Sequence, residues 1–314
     1  MPKIAIFIVL FLLTLSVASK ESKESKESNG EIDAVVLSLE LLHKEIQNAP
    51  DTSRIKLNEK FKKSLNELLH DFQSLSYDFS ALKSVSVLTS PKNTFRVYSW
   101  PLEISPGQYD YFGFTQFLVN EKRQKLKVVE LENSIFSMTH KTDEVYESNQ
   151  WRGGLYYKLV PTKKKKSKHF LILGWDSHNK RSTKKIIEVI SFTKKGEPIF
   201  GAPILNFEVK QTKKNLSKKK PKGIKYQVKY RHEFEYSAKV SMMLRYDKGL
   251  KMVVFDHLSP MNPKLVGVKA TYVPDYSYDG LYVKKGQWYM KNNLDLRNKT
   301  LPKAKKYKPS DVRQ

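Results

Sequence analysis

Hydrophobic and polar side chains alternate most regularly over residues 226–246. Successive side chains of a strand point to opposite faces, so the pattern predicts antiparallel strands. We expect the even-numbered side chains to be buried and the odd-numbered ones, which are all polar except Met243, to be exposed. A single strand of this length would run about 70 Å, well beyond the usual strand. We therefore expect either one long bent strand that crosses two sheets or two strands broken near Ser237. The predicted apolar face comprises Tyr226, Val228, Tyr230, His232, Phe234, Tyr236, Ala238, Val240, Met242, Leu244 and Tyr246.

Short apolar runs elsewhere are separated by turn signals such as aspartate–glycine and lysine–glycine pairs. Regular short strands joined in this way predict a mainly β fold over residues 85–297, either an antiparallel sandwich or a propeller-like meander. The predicted turns are Asp247–Gly249 before Leu250–Phe255, Lys194–Gly196 between Ile186–Phe192 and Pro198–Phe200, Asp279–Gly280 and Lys285–Gly286 around Leu281–Val283, and Lys163–Lys168 between Leu155–Val160 and Phe170–Gly174.

Residues 31–84 have a helical period. Apolar residues recur at spacings of three and four across Ile32–Ile46, which predicts an amphipathic helix that ends at Asn48–Pro50. Asp51–Ser53 offers N-caps for a second helix, whose apolar stripe continues across Leu57–Leu75. We predict a helical hairpin whose default role is core packing.

The N-terminus has the features of a cleavable secretory signal peptide. The apolar run Ile4–Val17 is shorter than a transmembrane helix, which needs about 20 apolar residues, and Ser16–Ala18 suits signal peptidase. We predict a signal peptide over residues 1–18, cleaved after Ala18, then a charged polar linker over residues 19–30. The predicted product is exported, periplasmic or secreted, without a transmembrane span; an uncleaved N-terminal anchor is the alternative.

The chain is strongly basic, with 57 lysines and arginines against 32 acidic residues and a formal net charge of +25. Only nine of the 57 are arginine, the residue suited to bidentate phosphate recognition, whereas lysine is a hydrated point charge. We therefore expect a solvated cationic surface that makes nonspecific polyanion contacts through lysine loops 163–168 and 213–222, with a basic tail over residues 298–314. The chain has no cysteine, which excludes disulfides, thiolate nucleophiles and cysteine-ligated metal centres.

A set of short motifs is spread over residues 85–290. The motifs are Leu88–Pro91, Phe95–Trp100, Leu171–Asp176, Thr183–Ile187, Gly196–Pro203, Phe234–Ser237, Met243–Asp247, Phe255–Pro260, Pro274–Asp275 and Tyr278–Gly280. In these motifs the chain resembles a family of uncharacterised exported proteins from Bacteroidetes-type bacteria. The resemblance implies an exported β-rich protein and brings no substrate, cofactor or catalytic residue with it.

Standard catalytic signatures are absent from the sequence: it has no phosphate-binding glycine-rich loop, no Gly-x-Ser-x-Gly elbow and no His-Glu-x-x-His pair. The candidate catalytic residues are acidic and histidine side chains that we expect at strand ends or turns. Such side chains act as metal ligands or acid/base groups if they converge; the alternative is that each aspartate caps its own turn. We predict neither a metal nor a cofactor. The candidates are Asp176, His178, Asp256, His257, Asp275 and Asp279.

Aromatic side chains supply the candidate ligand-binding residues. Trp100, Trp151, Trp175 and Trp288 would stack on a glycan if they were exposed; the alternative is that they fill the core. His232 lies on the apolar face of the alternating stretch, where we expect a hydrogen-bonded core histidine.

Two functional hypotheses follow from these observations. The first is a non-catalytic exported protein that binds a ligand, an envelope polymer or another protein. The second is an exported hydrolase with an Asp/His site at strand ends. A close cluster of Asp176, Asp256, His257 and Asp279 in a cleft would favour the enzyme, whereas separate carboxylates that each cap a turn would favour the binding protein.

Overall fold

The computed structural model describes residues 30–134, 137–162, 168–209 and 225–296. Within these ranges the chain is mainly β, with two helices before the strands, as predicted. Its fifteen strands form three sheets, and none of the described sheets closes into a barrel or a propeller. The regions outside the described residues are 1–29, with the predicted signal peptide and nearly all of the linker, 135–136, 163–167 of the first lysine loop, 210–224 with the 213–222 loop, and 297–314 with the predicted tail.

Helices α1 (residues 30–48) and α2 (Asp51–Leu69) lie where the helical hairpin was predicted. Their apolar stripes are buried against each other and against the first strands; the buried members are Ile32, Val36, Leu39, Ile46, Phe61, Leu65, Leu68 and Leu69. The second stripe does not continue as one helix to Leu75, because Asp71 accepts the backbone N–H of Gln73 and starts a separate 3₁₀ turn. The expected side-chain N-cap is also missing, since Pro50 occupies the cap position of α2.

The strands form a front, a middle and an outer sheet. The front sheet has the order β1 (Ser86–Thr89), β2 (Phe95–Ser105), β3 (Gln108–Asn120) and β4 (Lys125–Leu131). The middle sheet has the order β11 (His232–Ser237), β7 (Ser182–Phe192), β6 (Phe170–Asp176) and β5 (Leu155–Pro161), with β8 (Pro198–Phe200) also paired to β7. The outer sheet has the order β10 (Tyr226–Lys229), β9 (Leu205–Glu208), β15 (Gln287–Lys291), β14 (Tyr272–Lys284), β13 (Met252–Pro260) and β12 (Leu244–Asp247). All these neighbours are antiparallel except β15 and β9.

The layers follow from strand alternation. In β2, Tyr98 and Trp100 pack with the helices, whereas Phe95 and Val97 pack with the middle sheet. In β6, Ile172 packs towards the front sheet, whereas its neighbours pack towards the outer sheet. The order of layers is therefore helices, front sheet, middle sheet and outer sheet, with the cores between them.

The 226–246 stretch forms three strands in two sheets rather than one or two strands. The expected break near Ser237 is present, but a second break occurs at Tyr230–Arg231. Strict alternation of burial was therefore a wrong prediction: Val228 and Val240 are exposed, and Arg231, at an odd position, is buried. The Arg231 guanidinium pairs with Glu188 at 3.0 Å and donates to the carbonyls of three other residues. These contacts hold Arg231 inside the fold, so the strand is interrupted between β10 and β11.

Most of the predicted turns are confirmed. Asp247–Gly249, Lys194–Gly196 and Lys285–Gly286 join antiparallel neighbours. Asp279–Gly280 is not a turn but lies inside β14, paired with β13. Glycine is required there by close packing, because a Cβ on Gly280 would lie 2.7 Å from Leu294 and 2.9 Å from a backbone oxygen.

Candidate functional site: a cleft between two sheets

The six candidate Asp and His residues occupy two kinds of position. Asp176 ends β6 and His178 lies in the following turn, as expected. The other four lie inside the long strands β13 and β14, so their expected place at strand ends was wrong. The reason is a register shift next to His257, where β14 bulges and continues instead of ending.

A cleft of about 330 Å³ separates the β11 edge of the middle sheet from the outer sheet. We call it the two-sheet cleft. Its charged and imidazole lining consists of Lys184, His232, Glu233, Glu235, Asp256, His257, Lys269 and Asp279. Its large apolar and aromatic lining consists of Phe207, Phe234, Phe255, Leu258, Tyr272 and Met290. Three of the six candidates thus share one cleft, and a fourth, Asp275, contacts His257.

The candidate aspartates are engaged in holding the backbone. Asp256 accepts the N–H of Met243 at 2.7 Å, and Asp279 accepts the N–H of Asn293 at 2.9 Å. Asp176 accepts the N–H of His178 at 2.8 Å. Asp176 thus caps its own turn, as the capping alternative expects, whereas Asp256 and Asp279 each hold a segment distant in the chain rather than their own turn.

His257 and Asp275 form the closest acid–imidazole pair among the candidates, with 2.7 Å between Nδ1 and Oδ2. Asp275 also accepts hydrogen bonds from the hydroxyls of Ser259 and Ser277, both at 2.7 Å, and from the Ser277 N–H. Partial burial raises the pKa of Asp275, but these hydrogen bonds outweigh it and hold the pKa well below its usual range. With Nδ1–H donated to Asp275, Nε2 of His257 is left as an acceptor, the orientation that a general base requires.

A buried charge network lies behind the β11 wall of the cleft. The Arg152 guanidinium lies 2.8 Å from Glu233 and 3.2 Å from Asp176, and Lys184 lies 3.2 Å from Glu233. Burial alone would raise the pKa of Glu233, but the two cations outweigh it and lower the pKa to about 2. His178 reaches Glu235 at 3.7 Å. Asp176 and His178 therefore support the wall of the cleft rather than line it.

His232 packs between aromatic rings, as expected for a histidine on the apolar face. Its ring centroid lies 4.1 Å from that of Phe207 and 4.4 Å from that of Phe234, and its Nδ1 lies 3.2 Å from the Lys229 ammonium. Burial and the Lys229 charge lower the pKa of His232 to about 3. The imidazole is therefore neutral near pH 7 and accepts a hydrogen bond from Lys229.

Three of the four tryptophans fill the core. Trp100, Trp151 and Trp288 are each at most 1% exposed, and each lies in a different apolar cluster. Their indole N–H groups donate to Asn58, Tyr156 and Thr162. Because these three side chains are buried, they cannot stack on a surface glycan, and the ligand-binding prediction is wrong for them. Trp175 is half-buried.

A larger cavity, about 710 Å³, lies between α1 and the strands β2 and β5. None of the candidate Asp, His or Trp residues lines it. Its acidic side chains are already bound, since Glu40 accepts from Ser84 and Glu103 accepts from the Gly107 N–H. The two-sheet cleft is therefore the site where candidate chemistry and open volume coincide.

The arginine-centred ion pairs could not be located from the sequence pattern. Arg231 lies at an odd position of the 226–246 stretch that was predicted to be exposed, yet it is buried, as is Arg152, for which the sequence pattern makes no prediction. The scarcity of arginine was the available signal, because a planar guanidinium is the preferred cation for buried pairs.

No cluster of three or more His, Asp or Glu side chains that could hold a metal occurs in the described part of the chain. In the same part, no helix is both long enough and apolar enough to cross a membrane. Comparison with protein-family models, curated proteins and solved structures finds no match to the chain. The function has to be argued from the cleft itself.

Proposed function

We propose that the chain is an exported, non-catalytic binding protein and that its ligand occupies the two-sheet cleft. The export part rests on the N-terminal sequence. The binding part rests on one observation: the carboxylates around the cleft are already occupied. Asp256 and Asp279 each hold a backbone N–H, Glu233 is paired with two cations, and Glu235 accepts the Ser182 hydroxyl at 2.7 Å. A general acid or base needs a pKa near the working pH, whereas the pKa of Glu233 is about 2.

The charge of the cleft indicates the chemistry of the ligand. The cleft is lined by four carboxylates and only two lysines, so its lining is acidic although the whole chain carries a net charge of +25. Phe207, Phe234, Phe255 and Tyr272 complete the lining, and the rings of Phe207 and Tyr272 already carry the ammonium groups of Lys229 at 4.9 Å and Lys269 at 4.4 Å. Carboxylates and aromatic faces both attract cations. We therefore assign the cleft to a ligand that joins an apolar part to an ammonium or guanidinium group.

Benzylamine and benzoate, which share a ring and differ in charge, test this assignment by NMR titration. Benzylamine is expected to shift resonances of the cleft, and benzoate is not. Glu235→Gln should weaken benzylamine about fivefold, because one charge contact is worth about 1 kcal/mol and 1.4 kcal/mol is tenfold. Glu132→Gln, at an exposed position outside the cleft, is the matched control and should bind as the wild type. Equal binding of benzoate, or an unaffected Glu235→Gln variant, would contradict the proposal.

The His257–Asp275 pair favours a second candidate function, an exported hydrolase, because the free Nε2 could activate water. Hydrolysis of 4-nitrophenyl acetate, phosphate and glucoside distinguishes the two candidates. A binding protein should give the same background rate in the wild type and in His257→Asn. A fall of about 100-fold or more in the variant, as expected on loss of a general base, would favour the hydrolase.

A further inference from the structure

The tip of the β13–β14 hairpin, residues 261–271, presents large apolar side chains to solvent. Met261 is 70% exposed, Val266 is 71% exposed and Val268 is 50% exposed. Single exposed apolar residues are normal on a protein surface. Three of them within eight residues of one loop form a patch, which marks an interaction surface.

The charged side chains of the tip itself are of one sign. Residues 257–274 contain Lys264 and Lys269 and no aspartate or glutamate. Neither ammonium group is in an ion pair with any described residue. The Lys269 ammonium instead lies over the Tyr272 ring, 4.4 Å from its centroid. The tip therefore combines exposed apolar side chains with two ammonium groups that take part in no described ion pair.

The backbone of the tip is largely satisfied within the tip. Met261 N–H donates to Thr271, Leu265 to Asn262, Val268 to Leu265 and Thr271 to Val268. The N–H groups of Lys264 and Gly267 donate to the side chains of Asn262 and Tyr272. An apolar medium offers no partner for a backbone amide, so a segment that enters it must bond its own. Six N–H groups of the tip meet this requirement, and the tip is an ordered turn rather than an extended loop.

We propose that the hairpin tip docks on an anionic lipid bilayer. Met261, Val266 and Val268 enter the boundary between headgroups and acyl chains, and Lys264 and Lys269 pair with lipid phosphates. A protein partner fits less well, because a stable protein interface uses about 20–30 residues a side and the tip has eleven. Lys269 and Tyr272 also line the two-sheet cleft, so docking holds the cleft beside the membrane.

Vesicle co-sedimentation tests the docking with two lipid compositions: phosphatidylcholine alone, and phosphatidylcholine with one quarter phosphatidylglycerol. The wild type is expected to partition at least tenfold more strongly to the anionic vesicles. Val266→Asp should lose at least tenfold of that partition. Leu250→Asp is the matched control, because Leu250 is 47% exposed in the turn at the other end of β13 and should behave as the wild type. Melting curves of both variants establish that they are folded.

Insertion itself is read from Val266→Trp, whose fluorescence should shift to shorter wavelength only with anionic vesicles. Equal binding of wild type, Val266→Asp and Leu250→Asp would overturn the proposal, since binding would then depend on lysine charge alone. Equal binding to neutral vesicles would overturn the electrostatic part. Formation of a soluble complex with another protein, lost in Val266→Asp while the vesicles stay unbound, would also overturn it.

Discussion

The two faces of the middle sheet are stabilised by different chemistry. The face towards the outer sheet carries Leu171, Leu173, Ile187 and Val189, all at most 1% exposed. The face towards the front sheet is crossed by the Arg231–Glu188 and Arg152–Asp176 pairs, whose side chains are at most 2% exposed. Both faces are equally dry, yet the outer one depends on apolar contact alone, whereas the front one adds matched charges to an apolar cluster that includes Ile172 and Ile190. We expect the apolar positions to tolerate apolar side chains of similar volume, whereas the ion-paired positions of the front face tolerate only complete pairs.

The largest expected effect is the loss of one partner on the charged face. Arg231→Met should lower the free energy of unfolding by about 3–5 kcal/mol, because it leaves Glu188 buried and unpaired. The double variant Arg231→Met/Glu188→Leu should recover part of that loss, since apolar replacement of a whole buried pair is often neutral or stabilising; the remainder reflects the three carbonyls that lose the Arg231 donor. Urea denaturation measures both. If the double variant is less stable than Arg231→Met, the pair is not the source of the effect.

The apolar face should respond to volume alone. Leu173→Ala is expected to lower the free energy of unfolding by about 3 kcal/mol, through lost burial and the cavity that remains. Leu173→Met, which conserves volume, should cost less than about 1.5 kcal/mol. The same urea titration provides the comparison. Equal losses for the two variants would mean that polarity or strain, not volume, controls this face.

The stability of the fold depends on pH through His232, which lies at the edge of the apolar face. Its pKa is about 3 in the fold and about 6.5 in an unfolded chain, so the folded state stays neutral while the unfolded state gains a proton as the pH falls. The stability that this group contributes is present above pH 6.5 and is lost as the pH falls towards 3. The neighbouring Lys229 and Lys269 charges act in the same direction.

Between pH 6.5 and pH 5 the wild type should lose up to about 2 kcal/mol through His232, at about 1.4 kcal/mol per pH unit. His232→Gln keeps a polar group at this position but does not titrate, so it should lose less over the same range. Thermal unfolding at the two pH values gives the difference. Parallel losses in the two proteins would assign the effect to other groups.

Periodicity in the sequence was enough to predict the fold class but not the charged face. Alternation and helical spacing depend on one property, apolar burial, and they located the helical hairpin, while the glycine-containing turn signals located the confirmed β-turns. Arg231 and Glu233 appear at odd, polar positions of the same stretch, where the pattern assigns solvent. Their burial depends on Glu188 and Arg152, which are distant in the chain, and no local pattern carries that information.

The candidate site shows the same limit. Asp256, His257 and Asp279 were selected by residue type, and the structure brings them to one cleft. Their contacts with Met243, Asp275 and Asn293 decide whether they are free to act, and these depend on a bulge and a loop that the sequence pattern does not indicate. Residue type therefore indicated where these side chains lie in the fold, but it did not predict whether each of them is already engaged in a hydrogen bond.

The smallest expected effect is that of Val240→Asp on stability, and it distinguishes strict alternation from the three strands observed. Alternation places Val240 and Phe234 on the same buried face, so it predicts that aspartate is costly at both positions. In the structure Phe234 packs on Phe255, 4.7 Å between ring centroids, whereas Val240 is 37% exposed in the bend after β11. Phe234→Asp should cost several kcal/mol, because it places a charge without a partner in the apolar contact. Val240→Asp and the exposed control Lys239→Asp should each change stability by only about 0.5 kcal/mol. The melting temperatures of the three variants provide the test. A decrease for Val240→Asp as large as that for Phe234→Asp would support a continuous strand. A comparable decrease for Lys239→Asp would show that the bend itself is sensitive to charge.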